Sequence, residues 1–154
     1  MLFRSGNLDV TGNVTAGYFV GDGSELTRVG GHFVGRSTSS YNGSLSAGGY
    51  TGYGAGNYLC DSDITGSHLC SFAEIDYTIG TRNLSTISGW TGEAWISTGP
   101  AKYSPAGLPV NDCNGFTHGS LGSYLGNWWN FNTATGGVGK TGNCANTLRL
   151  ACCI

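Results

Sequence analysis

Few residues in this chain can do chemistry, and the cysteines are the most telling of them. There are six: Cys60, Cys70, Cys113, Cys144, Cys152 and Cys153. An even count in a small loop-rich chain points to disulfides, and disulfides point to an oxidising environment. No C-x-x-C pair occurs, and the adjacent Cys152 and Cys153 are poorly spaced as zinc ligands. Complete pairing leaves no free thiol to act as a nucleophile. The histidines His32, His68 and His118 accompany no G-x-S-x-G elbow. His118-Gly119-Ser120 is local adjacency, whereas catalytic partners meet through folding. His68, in the run Gly66-Ser-His-Leu-Cys70, reads as a helix-start or core residue. Asp61, Asp63, Glu74, Asp76, Glu93 and Asp112 are scattered, so they argue for no paired-carboxylate hydrolysis. Ala134-Thr-Gly-Gly-Val-Gly-Lys140-Thr141 looks like a Walker A loop with Ala for its first Gly. That loop needs a buried strand before it, a helix after it and a Mg²⁺-binding Asp elsewhere. Only 13 residues follow Thr141, three of them Cys, so the expectation is a Gly-rich surface loop. The chain is read as no enzyme, with no cofactor and no metal.

Binding is the better-supported chemistry. Tyr124 to Asn143 is rich in Tyr, Trp and Asn between Gly-permitted turns. Tyr and Trp give large contact area at low entropy cost, and Asn adds adaptable hydrogen bonds. Strand alternation turns Trp129 and Phe131 inward and leaves Trp128, Asn130 and Asn132 facing outward together. The candidate ligand-binding set is therefore Tyr124, Asn127, Trp128, Asn130, Asn132 and Lys140.

These residues need elements to hold them. His32-Phe33-Val34 reads as a strand, and the rest of residues 30–59 as an ordered loop, since Tyr and Phe recur too often for a solvated linker. Ala55 to Cys60 and Ser71 to Ile79 are the helix candidates. Ser71 with Glu74 three residues on has capping-box spacing, and Ile75 and Ile79 share a face. Gly92 to Ser97, Trp128 to Phe131 and Leu148 to Cys153 read as short β segments. The fold class expected is α+β.

Composition agrees. Of 154 residues, 28 are Gly and only 16 are charged, against average usage of about 7% and about 25%. Three Pro and no Gly-X-Y period exclude collagen. Hydrophobic residues at 39% and aromatics at 12% exclude a disordered chain. Glycine costs about 1 kcal/mol relative to Ala inside a helix, which argues against a bundle. A net charge of −2 with no basic cluster disfavours nucleic acid. No apolar run approaches a membrane span, and Met1-Leu-Phe-Arg-Ser-Gly-Asn lacks the apolar core of a secretory signal.

Residues 6–29 alternate apolar Leu8, Val10, Val14 and Ala16 with polar residues, and turn at Thr11-Gly12-Asn13 and Gly21-Asp22-Gly23. This stretch resembles the β repeats of phage tail-fibre and tailspike shafts, with Arg28 where Gly is common. The resemblance implies a trimer, and it divides the chain into a fibre-like β segment, 1–31, and a domain, 32–154.

From residue 33 onward the pieces resemble bacterial C-type-lectin-like domains. Those pieces are Phe33-Val34, Ser37 to Leu45, Gly48-Gly49, Gly54-Ala55, Cys60, Gly66 to Cys70, Ala73-Glu74-Ile75, Ala94-Trp95-Ile96, Asn111 to Phe116, Trp129 to Phe131, Gly136-Gly137, Cys144 and Ala151 to Cys153. In that fold a helix-borne Cys pairs near the C-terminus, and a second bridge joins segments bordering the long loop. The resemblance implies Cys113–Cys144, with Cys60 and Cys70 sharing Cys152 and Cys153 in either order. The calcium motifs Glu-Pro-Asn and Trp-Asn-Asp do not occur, so calcium-dependent sugar binding is not expected. The chain is also similar to the variable proteins of diversity-generating retroelements, whose adenine-directed mutation scatters Asn codons into Tyr, Ser, Asp and Gly. The implied function is ligand or receptor binding at the tip of a viral tail fibre, by a homotrimer on the virion surface. Its partner would be a host cell-surface protein or glycan. The alternative is a bacterial cell-surface adhesin or carbohydrate-binding lectin-like protein. A virion protein made without a secretory signal could close its disulfides after release, which reconciles the cysteines with the N-terminal residues.

Overall fold

The computed structural model describes residues 31–98, 102–103, 109–122 and 124–154. The fibre-like segment expected over 1–31 lies, but for Gly31, outside the described residues. The domain mixes α and β structure and is tied by three disulfides, Cys60–Cys152, Cys70–Cys153 and Cys113–Cys144. Cys60 and Cys70, open to either order in the sequence, are thereby assigned their partners.

The helices form where expected and extend further. The first, α1, spans Tyr53–Asp63. It starts after Gly52, whose φ of 63° and close approach to the Gly115 carbonyl leave no room for a Cβ. The second, α2, spans Phe72–Thr81 behind a complete capping box: the Ser71 hydroxyl accepts the Glu74 N–H, and Glu74 accepts the Ser71 N–H at 2.8 Å. Ile75 and Thr78 are its buried residues. The Thr78 hydroxyl accepts the Phe33 N–H at 2.9 Å, which ties α2 to the first strand.

Strand β1, Phe33–Arg36, pairs antiparallel with the last strand, β10, Arg149–Cys153. Mutual backbone hydrogen bonds between His32 and Ile154 bring the two ends of the described domain together. A short hairpin follows β1, with β2 at Ser46–Ala47 and β3 at Tyr50–Thr51; the expectation of an ordered loop there missed it. Strand β4, His68–Leu69, pairs with β10, and β5, Gly92–Trp95, runs parallel to β10. Strands β6, Lys102–Tyr103, and β7, Pro109–Val110, follow. The longest strand, β8, Leu125–Phe131, lies antiparallel to both β5 and β9, Val138–Asn143. The Walker-like stretch therefore contains a hairpin turn and the start of a strand, so it lacks the helix that a phosphate loop requires.

Successive residues of a strand point to opposite faces, and here both faces are covered. Trp129, Phe131, Ala94, Ile96, Ala151 and Cys153 join one core with Phe33 and Ile75. Trp128, Trp95, Leu150 and Cys152 join a second with Leu45, Ala55 and Phe116. The adjacent Cys152 and Cys153 thus anchor one bridge on each side of the sheet. Helix α1 closes one layer and α2 the other.

Candidate functional site

The sheet buried on both sides changes the expected binding face. Trp128 and Asn127 were expected to be presented to ligand; each is only 8% exposed. Trp128 stands opposite Trp95 across the β5–β8 ladder, with ring centroids 5.4 Å apart and planes at 88°. Alternation alone assumed a strand open to water on one side, whereas α1 and the segment around Phe116 cover that side.

Above Trp128 the face is charged. Trp128 pairs with Lys140 of β9, and Asn130 with Glu93 of β5. The Lys140 ammonium crosses β8 to reach Glu93 Oε1 at 2.7 Å. That hydrogen bond holds the Glu93 carboxyl below its ordinary value. Asn130 is half-buried beside this pair, Lys140 is exposed, and Val138 is an exposed hydrophobic at the start of β9. Of the expected set, Asn130 and Lys140 come together here.

The remaining members serve the scaffold. Asn132 is exposed, but its side-chain oxygen accepts the N–H groups of Ala134 and Thr135 and builds the β8–β9 turn. Gly137 completes that turn with a φ of 106°. Tyr124 is half-buried, its ring 4.8 Å from the His118 ring. Asn127 is held on the opposite face of β8 by three hydrogen bonds, giving to Thr98 and Asp112 and accepting from Thr141.

Asp112 is the centre of that network and was not singled out as a site residue. It is fully buried and accepts from the Tyr53 hydroxyl at 3.0 Å, the Thr98 N–H at 3.0 Å, the Thr98 hydroxyl at 2.8 Å and Asn127 at 3.1 Å. Four donors around a buried carboxylate satisfy it in place of water. Burial, reinforced by Asp112, pushes the Tyr53 hydroxyl well above its ordinary pKa, so it stays a donor. Asp112 opens α3, Asp112–Phe116, in which all five residues have positive φ: 52°, 57°, 56°, 67° and 59°. Left-handed backbone costs L-residues about 1–2 kcal/mol each. Cys113–Cys144, the Asp112 bonds and the buried Phe116 ring hold the turn in place.

The histidines are likewise placed. His68 Nε2 lies 2.7 Å from Glu74 Oε1, at the start of α2. His118 Nε2 contacts the Ser120 hydroxyl at 2.9 Å, with no carboxylate bonded to the ring among the described residues. Nor, among those residues, does any group of three His, Cys, Asp or Glu form a metal site.

Compared with family models, curated proteins and solved structures, the chain matches none. The class defined by fold and site is thus a mixed α/β domain, clamped by three disulfides and carrying an exposed polar strand face. Disulfides of this kind persist in oxidising surroundings, which fits an extracellular working place. No helix among the described residues is long and apolar enough to cross a membrane.

Proposed function

We propose that this chain is a non-enzymatic ligand-binding domain of C-type-lectin-like type, carried at the tip of a viral tail fibre and assembled as a homotrimer through residues 1–31. The observation that carries this reading is the bridge from Cys60, on the first helix, to Cys152, on the last strand, beside a paired first and last strand. That closure is the arrangement the resemblance implies, and it frees the intervening segments to serve recognition. The binding face is Asn130 with the Lys140–Glu93 pair and Val138, and the partner is a host cell-surface protein or glycan. An ion pair beside an amide and an apolar residue provides donors, acceptors and contact area within one patch. The chain is also the sequence-diversified variable protein of a retroelement, with Asn130 and Tyr124 among its varied positions.

The test is retention of the labelled protein on a panel of bacterial cells and immobilised glycans. Asn130→Ala combined with Lys140→Ala should lower retention by about 10-fold or more while moving the melting temperature little, since exposed ion pairs contribute about 0–1 kcal/mol. Unchanged retention would remove the β8–β9 face from the reading. Flanking DNA offers a separate check: a near-copy of the 3′ coding region differing mainly at adenines, beside a reverse transcriptase gene, is the expected finding.

A further inference from the structure

Two arginines leave the sheet on the face opposite the Lys140–Glu93 pair. Arg36 ends β1 and stands opposite Ala151 of β10, while Arg149 opens β10 opposite Ala94 of β5. Ala94 and Ala151 join the same core, and residues 149 and 151 are two apart on one strand, so both arginines take that side. Arg36 reaches across β10 to β5, where a Cβ on Gly92 would lie 2.8 Å from Arg36 Nη1. That reach brings it near Arg149: burial first, and then the Arg149 charge, hold the Arg36 guanidinium below its ordinary value. Among the described residues, no ion pair or hydrogen bond engages either side chain. Two carboxylates that could neutralise them are committed elsewhere. Asp63 accepts the Thr38 N–H at 2.8 Å and the Thr38 hydroxyl at 2.9 Å. Glu93, between Gly92 and Ala94, projects to the other face and holds Lys140.

Two cations side by side, one of them half-buried, repel each other and lack the partner that such charges need. Arg36 Nε is sealed from water without a hydrogen-bond partner; the Nη groups, equally unpaired, are not sealed. Arg149 is exposed. The pair is therefore open to a solute through the Nη edge of Arg36 and the fork of Arg149. We infer that Arg36 and Arg149 form a binding site for a phosphate dianion, taken up as inorganic phosphate or as the terminal phosphate of a monoester. Planar guanidinium forks match phosphate oxygens in bidentate, charge-assisted hydrogen bonds. A dianion cancels both charges, whereas a carboxylate or a phosphodiester, each a monoanion, cancels one. The site shares no residue with the β8–β9 face.

Titration of the ¹⁵N-labelled full chain with sodium phosphate, at slightly alkaline pH and constant ionic strength, tests this through the Gly89 and Gly92 amides, which border Arg36. Both should shift saturably at millimolar phosphate. Arg36→Gln and Arg149→Gln should each raise the Kd about 10-fold. Arg149 is exposed, so its variants keep the parent's melting temperature, and Arg149→Lys, which retains the charge without the fork, should fall between parent and Arg149→Gln. Methyl phosphate should bind as inorganic phosphate does, while dimethyl phosphate and acetate should each bind about 10-fold more weakly. Binding should survive Asn130→Ala with Lys140→Ala, which separates this site from the β8–β9 face. Absence of saturable shifts at Gly89 and Gly92, or a Kd unchanged in both glutamine variants, overturns the inference. So does dimethyl phosphate or acetate binding as tightly as methyl phosphate, since the site would then not select a dianion.

Discussion

Trp128 and Asn130 are two residues apart on β8 and share a face, yet they have different roles. Trp128 is packed against Trp95 under the Lys140–Glu93 pair; Asn130 reaches the surface. Trp128→Ala should therefore cost about 3–5 kcal/mol in denaturant unfolding, the scale of a large core truncation, while Asn130→Ala should cost under about 0.5 kcal/mol. Equal small losses would place Trp128 on the binding face after all. Glu74 provides a pH-dependent case. Burial pushes its carboxyl up, but the Ser71 N–H, the Ser71 hydroxyl and His68 together hold it below its ordinary value. A carboxyl lowered in the folded state stabilises above its unfolded pKa of about 4.3 and loses that contribution as pH falls through the folded value. Glu74→Gln should thus be about 1 kcal/mol less stable than the parent near neutrality, with the gap closing in acid. Melting curves between neutral pH and acid would show the convergence, and a pH-independent gap would contradict it.

At the scale of elements, local signals were legible where they were strong. The capping box starts α2 one residue after Ser71, as its spacing announces, because the box is satisfied within four residues. β9 had no such signal. Val-Gly-Lys-Thr-Gly-Asn shows no apolar alternation, and its ladder exists only because β8 lies alongside. α3 is further from view, since a left-handed turn has no periodicity to read and Asn114 and Gly115 only hint at it. Asn114 is exposed, and its amide donates one long hydrogen bond to the Thr117 hydroxyl at 3.3 Å; Gly and Val both remove it, so the difference between the two variants isolates the backbone. Asn114→Gly should be neutral or slightly stabilising, and Asn114→Val should destabilise by about 1–2 kcal/mol. Thermal melts of the two variants would discriminate, and a harmless Val would show that the turn is not left-handed in solution.

The whole molecule depends on its bridges. They span 92, 83 and 31 residues. Closing such loops is worth about 4–5 kcal/mol for each long one and about 3–4 for the short one in the chain-entropy model, though nested loops do not add. That is comparable with the net stability of a whole domain, about 5–15 kcal/mol. Reduction should therefore lower the melting temperature by tens of degrees or unfold the domain at room temperature, followed by circular dichroism with and without reductant. A reduced protein that melts within a few degrees of the oxidised one would mean the two cores suffice.

By itself the sequence determined the class of fold, the two longer helices, the three principal β segments and the pairing of all cysteines in principle. Those properties follow from composition, from spacing within a few residues and from parity. Tertiary structure decided which of Cys60 and Cys70 meets Cys152 and which meets Cys153, because those two differ only in the face of β10 they occupy. It also decided that Trp128 and Asn127 are interior, that Asp112 gathers Tyr53, Thr98 and Asn127, and that Arg36 and Arg149 share a face of the sheet. Each depends on segments tens of residues apart arriving at the same place. Alternation along a strand gives the side of the sheet a residue takes, and only the packed molecule shows whether water or another layer lies there.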